Sequence, residues 1–340
     1  MTTTRSTRVT IGDVADRAGV SIATVSRVVN GRYGVATTTQ SRVQAVIDDL
    51  GYESSLIARS LRSQRTFVIG ILVPDIEPFS AELLKGAAKA VRGSDFEMIV
   101  YVAGRHDSEG WERRYISRLS GTLTDGTILV TPTVTAVDST QPVVAIDPHV
   151  GGSTLPTVDS QNFEGARSMT EHLLALGHRR IAFLAGRPDL ESARRREAGY
   201  RAALEAAGVA FDPELVLVGG FTVETAAAPA RELLTRSPRP TAIFAANDQS
   251  AIQTMRTAAE LGVRVPEDVS VVGFDNTPDS AMTTPPLTTV DQSIQALGQE
   301  AVRLVLDLID DPDRNDPRDP IHITLPTQLV IRSTTAPPAP

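Results

Sequence analysis

The chain has 340 residues, no cysteine and a formal net charge of −8 at pH 7. That length predicts two or three domains, and the lack of thiols excludes disulfides and thiolate metal sites. No apolar run approaches the ~20 residues that span a bilayer, and no h-region opens the chain, so the expected setting is cytoplasmic. Net charge alone argues against nucleic acid, but its distribution reverses that argument. Residues 1–65 carry nine arginines against Asp13, Asp16, Asp48, Asp49 and Glu53, a net +4, and the rest of the chain is correspondingly acidic. A small basic head on an acidic body suits phosphate contact at one end only.

Residues 1–9 are polar and predicted to lack order before a partner binds. Thr10 and Asp13 then form a [ST]-x-x-[DE] capping box, with Val9 and Val14 at the staple positions around it. Ile11, Val14, Ala15 and Ala18 recur at helical spacing. Gly19 predicts the stop, because glycine alone enters left-handed backbone angles without steric cost. Ser21 opens a second helix. Its buried stripe is Val25, Val28 and Val29, while Ile22, Ala23, Ser26, Arg27 and Asn30 face elsewhere. Two short helices about a tight glycine turn read as a helix-turn-helix. So small a pair cannot bury its own apolar face, and residues 39–50 supply a third helix through Val43, Val46, Ile47 and Leu50.

Residues 51–65, GYESSLIARSLRSQR, form a basic linker with Ile57, Ala58 and Leu61 on one apolar edge. From Thr66 the pattern alternates strand and helix. TFVIGILV is a continuous apolar run, as expected of a parallel strand buried on both faces. A helix near residues 81–91, strand FEMIVYVA, a helix at 111–119, and strands TILV and VVAI follow. A second series begins after Asp159, with helices at 165–176, 192–207, 223–234 and 249–261. Strands IAFLAG, LVLV, TAIFAA and VSVVGF separate them. Alternating βα units predict parallel sheets covered by helices on both faces. Two series predict two doubly wound lobes with a cleft between them. The chain closes with a polar loop, strands ITL and QLVI, and the low-complexity segment TTAPPAP, which is predicted to be disordered.

The tract AGVSxxTVSRVxN within VTIGDVADRAGVSIATVSRVVNG, joined by GYxxxxxARSL and five downstream tracts, resembles the lactose/galactose repressor family of bacterial transcription factors. The resemblance covers nearly the whole chain. It implies an α/β protein with a three-helix DNA-binding head at residues 1–50 and a hinge at 51–66. A two-lobed core resembling periplasmic sugar-binding proteins then spans 67–332. Its first lobe takes in about 67–161 and 293–322, its second about 162–292 and 323–332, leaving 333–340 as a disordered tail. No leucine heptad follows, so a homodimer is expected rather than a tetramer.

In the head, the resemblance assigns base reading to Ile22, Ala23 and Arg27. The N-terminal residues of a helix in the major groove meet base edges, and arginine can bond guanine bidentately. Thr10, Ser21, Thr24, Ser26 and Asn30 are short polar groups suited to phosphate or to fixing the helix. Ala36 and Gln40 replace Ser and Arg that contact the backbone in relatives, so those contacts are expected to be lost. In the hinge, Leu61 matches a leucine that wedges the central base step in the minor groove, beside Ala58 and the phosphate-directed Arg62. Ser54-Ser55 stands where relatives carry Pro-Asn, which loosens the expected start of the hinge helix.

In the core, SARRREAGY places Arg196 in the family's R-x-x-G-[YFW] motif, whose arginine bonds sugar hydroxyls. Asn247, beside Asp248 in FAANDQ, and Asp275 in VVGFDN follow strands at the edge where open α/β sheets bind ligands. Asp147 follows VVAI in the same way, and Phe79 and Phe221 offer stacking faces. A neutral polyol needs carboxylate acceptors, a guanidinium donor and flat apolar walls. Salt-bridge roles for Arg196 and Asp275 are the bland alternative; Trp111 is open to helix packing or ligand contact, and His178 is expected to pack and hydrogen-bond near a lobe boundary rather than bind.

The five histidines are scattered without metal-ligand spacing, and there is no G-x-S-x-G, P-loop or G-x-G-x-x-G. Asp159 and Glu164 lie close in sequence but fall in a family tract at a lobe edge. No enzyme, metal or cofactor is therefore expected. The leading expectation is a ligand-responsive repressor of carbohydrate-utilisation genes. It would bind pseudo-palindromic double-stranded operator DNA as a homodimer, and no membrane. The alternatives are a soluble sugar-binding receptor and a corepressor-type regulator answering to a nucleobase.

Overall fold

A computed structural model describes residues 9–29, 34–50, 65–103, 110–119, 123–150, 153–316 and 318–339. The expectations for residues 1–8 and Asn30, and for Ser54, Ser55, Ala58, Leu61 and Arg62 in the hinge, fall outside them. The chain divides into two compact units, Met1–Phe67 and Val68–Pro340.

The head consists of α1 (Ile11–Ala18), α2 (Ile22–Val29) and α3 (Thr37–Leu50). Both bonds of the capping box are made: the Asp13 amide donates to Thr10 Oγ1 at 3.3 Å, and the Thr10 amide donates to Asp13 Oδ2 at 2.7 Å. Such a cap is worth about 1 kcal/mol. Gly19 adopts φ 65°, and its amide closes the last turn of α1. Ser21 Oγ accepts from the Thr24 amide and so begins α2. Val14, Val25 and Val43 are fully buried, one from each helix, with Val46, Ile47 and Leu50 packed around them. The third helix starts two residues before its expected position.

The core contains two parallel sheets. The first has β1 (Val68–Val73), β2 (Glu97–Val102), β3 (Gly126–Val130), β4 (Val143–Ile146), β5 (Thr157–Ser160) and β11 (His322–Leu325), in the order β11-β5-β4-β3-β1-β2. Its helices are α4 (Pro78–Val91), α5 (Trp111–Leu119) and α11 (Ile294–Asp310). The second sheet has β6 (Ile181–Ala185), β7 (Val216–Val218), β8 (Ala242–Ala245) and β9 (Ser270–Val272), in the order β7-β6-β8-β9. Its main helices are α6 (Asn162–Ala175), α7 (Glu191–Ala206), α8 (Val223–Thr235) and α9 (Asp248–Glu260). The turn-and-a-half α10 (Pro278–Met282) follows β9. β10 (Thr289–Asp291) and β12 (Gln328–Val330) pair antiparallel where the chain passes between lobes.

The side-chain period of two explains the apolar runs. Ile181, Phe183 and Ala185 of β6 enter the core under α6 and α7, whereas Ala182 and Leu184 enter the core under α8 and α9. Both faces are covered, so the strand cannot alternate with polar residues. At the open edge of the first sheet this pressure lapses, and β2 is only partly buried.

Each lobe has one pair of helices in backbone contact through glycine. A Cβ on Gly199 of α7 would lie 2.2 Å from the Phe163 carbonyl oxygen of α6; one on Gly298 of α11 would lie 2.2 Å from the Leu83 carbonyl of α4. Gly199→Ala is expected to destabilise the second lobe by about 1–3 kcal/mol. A urea titration followed by circular dichroism reads that loss, and an unchanged midpoint contradicts the close packing.

Two boundaries differ from the sequence reading. β11 pairs in parallel with β5, so the first lobe extends to Leu325 rather than ending at 322. The tail is not disordered over residues 333–339. The Val271 amide donates to the Thr334 carbonyl, the Thr288 amide to Thr334 Oγ1, and the Ala336 amide to Ser270 Oγ. β9 is an edge strand whose free backbone groups need partners, and the low-complexity segment supplies them. His178 completes the clasp. Its ring bonds Thr241 Oγ1 at 2.9 Å on one side and the Ala336 carbonyl at 2.9 Å on the other. This is the packing role expected of His178, and its partner is the tail.

Candidate functional site

α2 presents one solvated face. Ser21, Ile22, Ala23 and Arg27 are exposed, and Thr24 and Ser26 are half-buried, while Val25 and Val28 point inward. Ile22 is 55 % exposed, unusual for an isoleucine in so small a core. Thr10 Oγ1 also meets Asp13 Oδ2 at 2.7 Å, so its hydroxyl belongs first to the capping box. Ala36 and Gln40 are exposed at the start of α3.

In the core, Arg196 is the hub. It is 3 % exposed on α7, with its guanidinium 3.8 Å from the Phe274 ring centroid and 5.8 Å from that of Phe221. Nε donates to Asn162 Oδ1 (2.8 Å), Nη1 to the Ala246 carbonyl (2.6 Å) and Asp275 Oδ1 (3.4 Å), and Nη2 to Gln292 Oε1 (3.3 Å). Guanidinium has five N–H donors, so one Nη2 hydrogen lacks a partner among the described residues. Asp275 Oδ1 also accepts from Gln292 Nε2 at 2.6 Å, which leaves Oδ2 without a protein donor there. The pair thus presents one donor and one acceptor beside aromatic rings, the pattern two neighbouring hydroxyls require.

Asp147 and Asp275 both follow parallel strands, and both hold positive φ, 46° and 124°. Strained backbone of this kind collects at functional sites. Burial pushes the Asp147 carboxyl up to about 6, against the opposing pull of Arg196 and the Asn162 hydrogen bond. Burial likewise holds Asp275 well above the usual carboxylate range, although Arg196 favours its charged form. Phe221 stands over Gly186, where any Cβ would collide with the ring at 2.3 Å.

Asn247 is close by but differently engaged. Its Oδ1 caps α9 through the Ser250 amide, and its Nδ2 donates to the Phe221 carbonyl, so it positions that ring. Asp248 is a structural pin that accepts from the Thr277 amide and hydroxyl and from Thr289. Burial raises its carboxyl from 3.8 to about 7. A raised folded pKa means the folded state holds the proton where the unfolded state has lost it. The contribution is complete below about 4 and disappears as pH climbs through 7. Asp248→Asn is therefore expected to flatten the fall in thermal midpoint between pH 5 and pH 8. Parallel slopes for variant and parent contradict that.

Phe79 lies half-buried against the first-lobe core. Trp111 packs edge-on to Tyr115 at 5.7 Å inside its own lobe. Asp159 pairs with Arg195 (3.3 Å), and the neighbouring Arg194 donates to the His149 carbonyl (2.9 Å), both joining α7 to the first lobe. A cavity of about 200 Å³ opens beside Asp147 and Asn162, lined also by Ser192, Arg195, His322 and Thr324. A larger, mainly apolar groove of about 600 Å³ runs along α9 and α10 past Ile252, Met255 and the 80 % exposed Met282, away from Arg196.

Asn162, Gln292 and Phe274 were missed by sequence reasoning. The strand-end rule that singled out Asn247 and Asp275 applies equally to Asn162, two residues past β5. Gln292 carries no local signal, because it meets Arg196 across 96 residues of chain. No group of metal-ligating side chains occurs among the described residues, and none of their helices is long and apolar enough to cross a membrane.

Residues 10–55 match the model of bacterial regulatory proteins of the lacI family, and residues 170–335 that of a periplasmic binding protein-like domain. The chain is 36 % identical to the ribose operon repressor of Halalkalibacterium halodurans, over 96 % of this chain and 97 % of that one. A transcriptional regulator CelR–cellobiose complex matches at 33 % identity and TM-score 0.70, covering 96 % of this chain and all of that one. The lac repressor dimer bound to operator and an anti-inducer matches at 29 % identity and TM-score 0.84, covering 97 % of this chain and all of that one. The chain belongs to the lacI family of bacterial regulatory proteins, as a helix-turn-helix transcriptional regulator with a ligand-binding core.

Proposed function

We propose that this regulator represses carbohydrate-utilisation genes as a homodimer, and that a small polyhydroxylated ligand held at Arg196 and Asp275 changes its grip on operator DNA. The observation that carries the reading is the donor–acceptor pair itself. One guanidinium hydrogen and one carboxylate oxygen lie side by side, next to the faces of Phe221 and Phe274. Asp147 adds a second acceptor from the other lobe, and Asn247 holds Phe221. The relatives bound to cellobiose or regulating a ribose operon support a sugar as the ligand class.

On the DNA side, Ile22, Ala23 and Arg27 read bases in the major groove. Ser21, Thr24, Ser26 and Asn30 contact phosphate or brace α2, with Thr10 at the cap of α1. Ala58, Leu61 and Arg62 act in the minor groove at the operator centre. Two heads are needed for a pseudo-palindrome, and the apolar groove past Met255 and Met282 suits a second copy of the chain. Ligand changes operator affinity to the extent that it binds one lobe arrangement better than the other. Calorimetry with ribose and cellobiose, beside gel shifts on palindromes near the gene, tests the reading. Salt-sensitive binding to one palindrome that a sugar alters supports it; no binding to any palindrome contradicts it.

A further inference from the structure

The chain passes between the lobes three times, at residues 160–162, 291–294 and 325–328. Two of these passages touch the hub directly. Asn162, 2 % exposed, lies on the first and receives Arg196 Nε. Gln292, fully buried, lies on the second. Its Oε1 accepts from Arg196 Nη2 and from Ser160 Oγ (2.9 Å), and its Nε2 donates to Asp275. A single amide therefore bridges the end of β5 in the first lobe to both members of the ligand pair in the second. The third passage joins this group through the Gln161 amide, which donates to the Leu325 carbonyl.

We propose that Gln292 and Asn162 are positioning residues that convert occupancy of the Arg196–Asp275 pair into a setting of the interlobe hinge. The inference rests on the sugar-binding reading for its trigger, though the tethers exist without ligand. A ligand hydroxyl that bonds the free Nη2 hydrogen and Asp275 Oδ2 competes for the orientation of both groups. Any turn of the guanidinium changes its bonds to Asn162 and Gln292 together, because the fork is planar and rigid. Those two residues sit where the backbone bends between lobes, so a shift of either is a change of hinge. Hinge residues of this kind absorb small changes at a site and return them as domain motion. Both amide heteroatoms of Gln292 are engaged, Oε1 by Arg196 and Ser160 and Nε2 by Asp275, so its bonds run to the ligand pair and the crossover together.

The test uses the full-length chain. It has no cysteine of its own, so Ser117→Cys on α5 and Ala206→Cys on α7 give one donor–acceptor dye pair across the lobes. Without ligand, Gln292→Ala and the milder Ser160→Ala are expected to shift or broaden the interlobe distance distribution. With ribose or cellobiose as probe, Gln292→Ala is expected to keep sugar affinity within about fivefold. The sugar's effect on operator affinity should meanwhile fall below about twofold, from a parent value of about 5–150-fold. An unchanged ligand-free distribution in both variants overturns the proposal, as does full coupling in Gln292→Ala. If the parent binds neither sugar, the effector reading fails by itself and the ligand-free distributions still decide the tether.

Discussion

Arg196→Ala is expected to abolish the ligand response, leave operator binding intact, and lower the core's stability by about 3–5 kcal/mol. The guanidinium holds Asn162, the Ala246 carbonyl, Asp275 and Gln292 at once and lies against Phe274. Removing it leaves Asp275 buried beside Gln292 with no cation to favour its charge. That carboxyl already sits well above its usual range, and losing Arg196 raises it further. A raised folded pKa contributes stability at low pH that is lost as pH rises. The variant's deficit should thus be larger at pH 8 than at pH 5, and adding Asp275→Asn should recover part of it at pH 8. Urea midpoints at the two pH values measure this. A normal ligand response, or a deficit independent of pH, contradicts the site.

Arg27→Ala should have the larger effect on DNA. The side chain is exposed on α2, with Val25 and Val28 carrying the packing, so the head keeps its fold. One bidentate guanine contact is worth about 1–3 kcal/mol of discrimination. A dimer makes it twice, so operator affinity should fall by about 30-fold to 10⁴-fold while affinity for unrelated duplex falls far less. Fluorescence anisotropy on operator and scrambled duplex at one salt concentration reads the ratio. An equal loss on both sequences would make Arg27 a phosphate contact instead.

The head was legible almost residue by residue, because its signals are local. A capping box needs only Thr10 and Asp13, the stop needs only Gly19, and the core follows from spacing within each helix. The βα alternation was legible for the same reason, since strands buried on both faces read as apolar runs. What escaped is non-local. β5 is four residues long and ends in a polar tract, so it reads as a loop until β4 and β11 pair with it. The tail looks unstructured by composition, yet an edge strand 66 residues earlier orders it. Arg196, Asp147 and Asp275 could be found from a motif and from strand ends. Their neighbour Gln292 could not, because only a crossover between lobes brings it to the guanidinium, and Asn162 escaped because β5 itself reads as a loop.

A ligand in the core and DNA on the head are expected to share one free energy of coupling. Linkage requires that factor to be the same in both directions. Sugar affinity of the full-length chain, measured by calorimetry with and without saturating operator, tests it beside operator affinity with and without sugar. Two equal factors, both well away from one, are expected. A sugar that binds at Arg196 with identical affinity whether or not operator is present would contradict it.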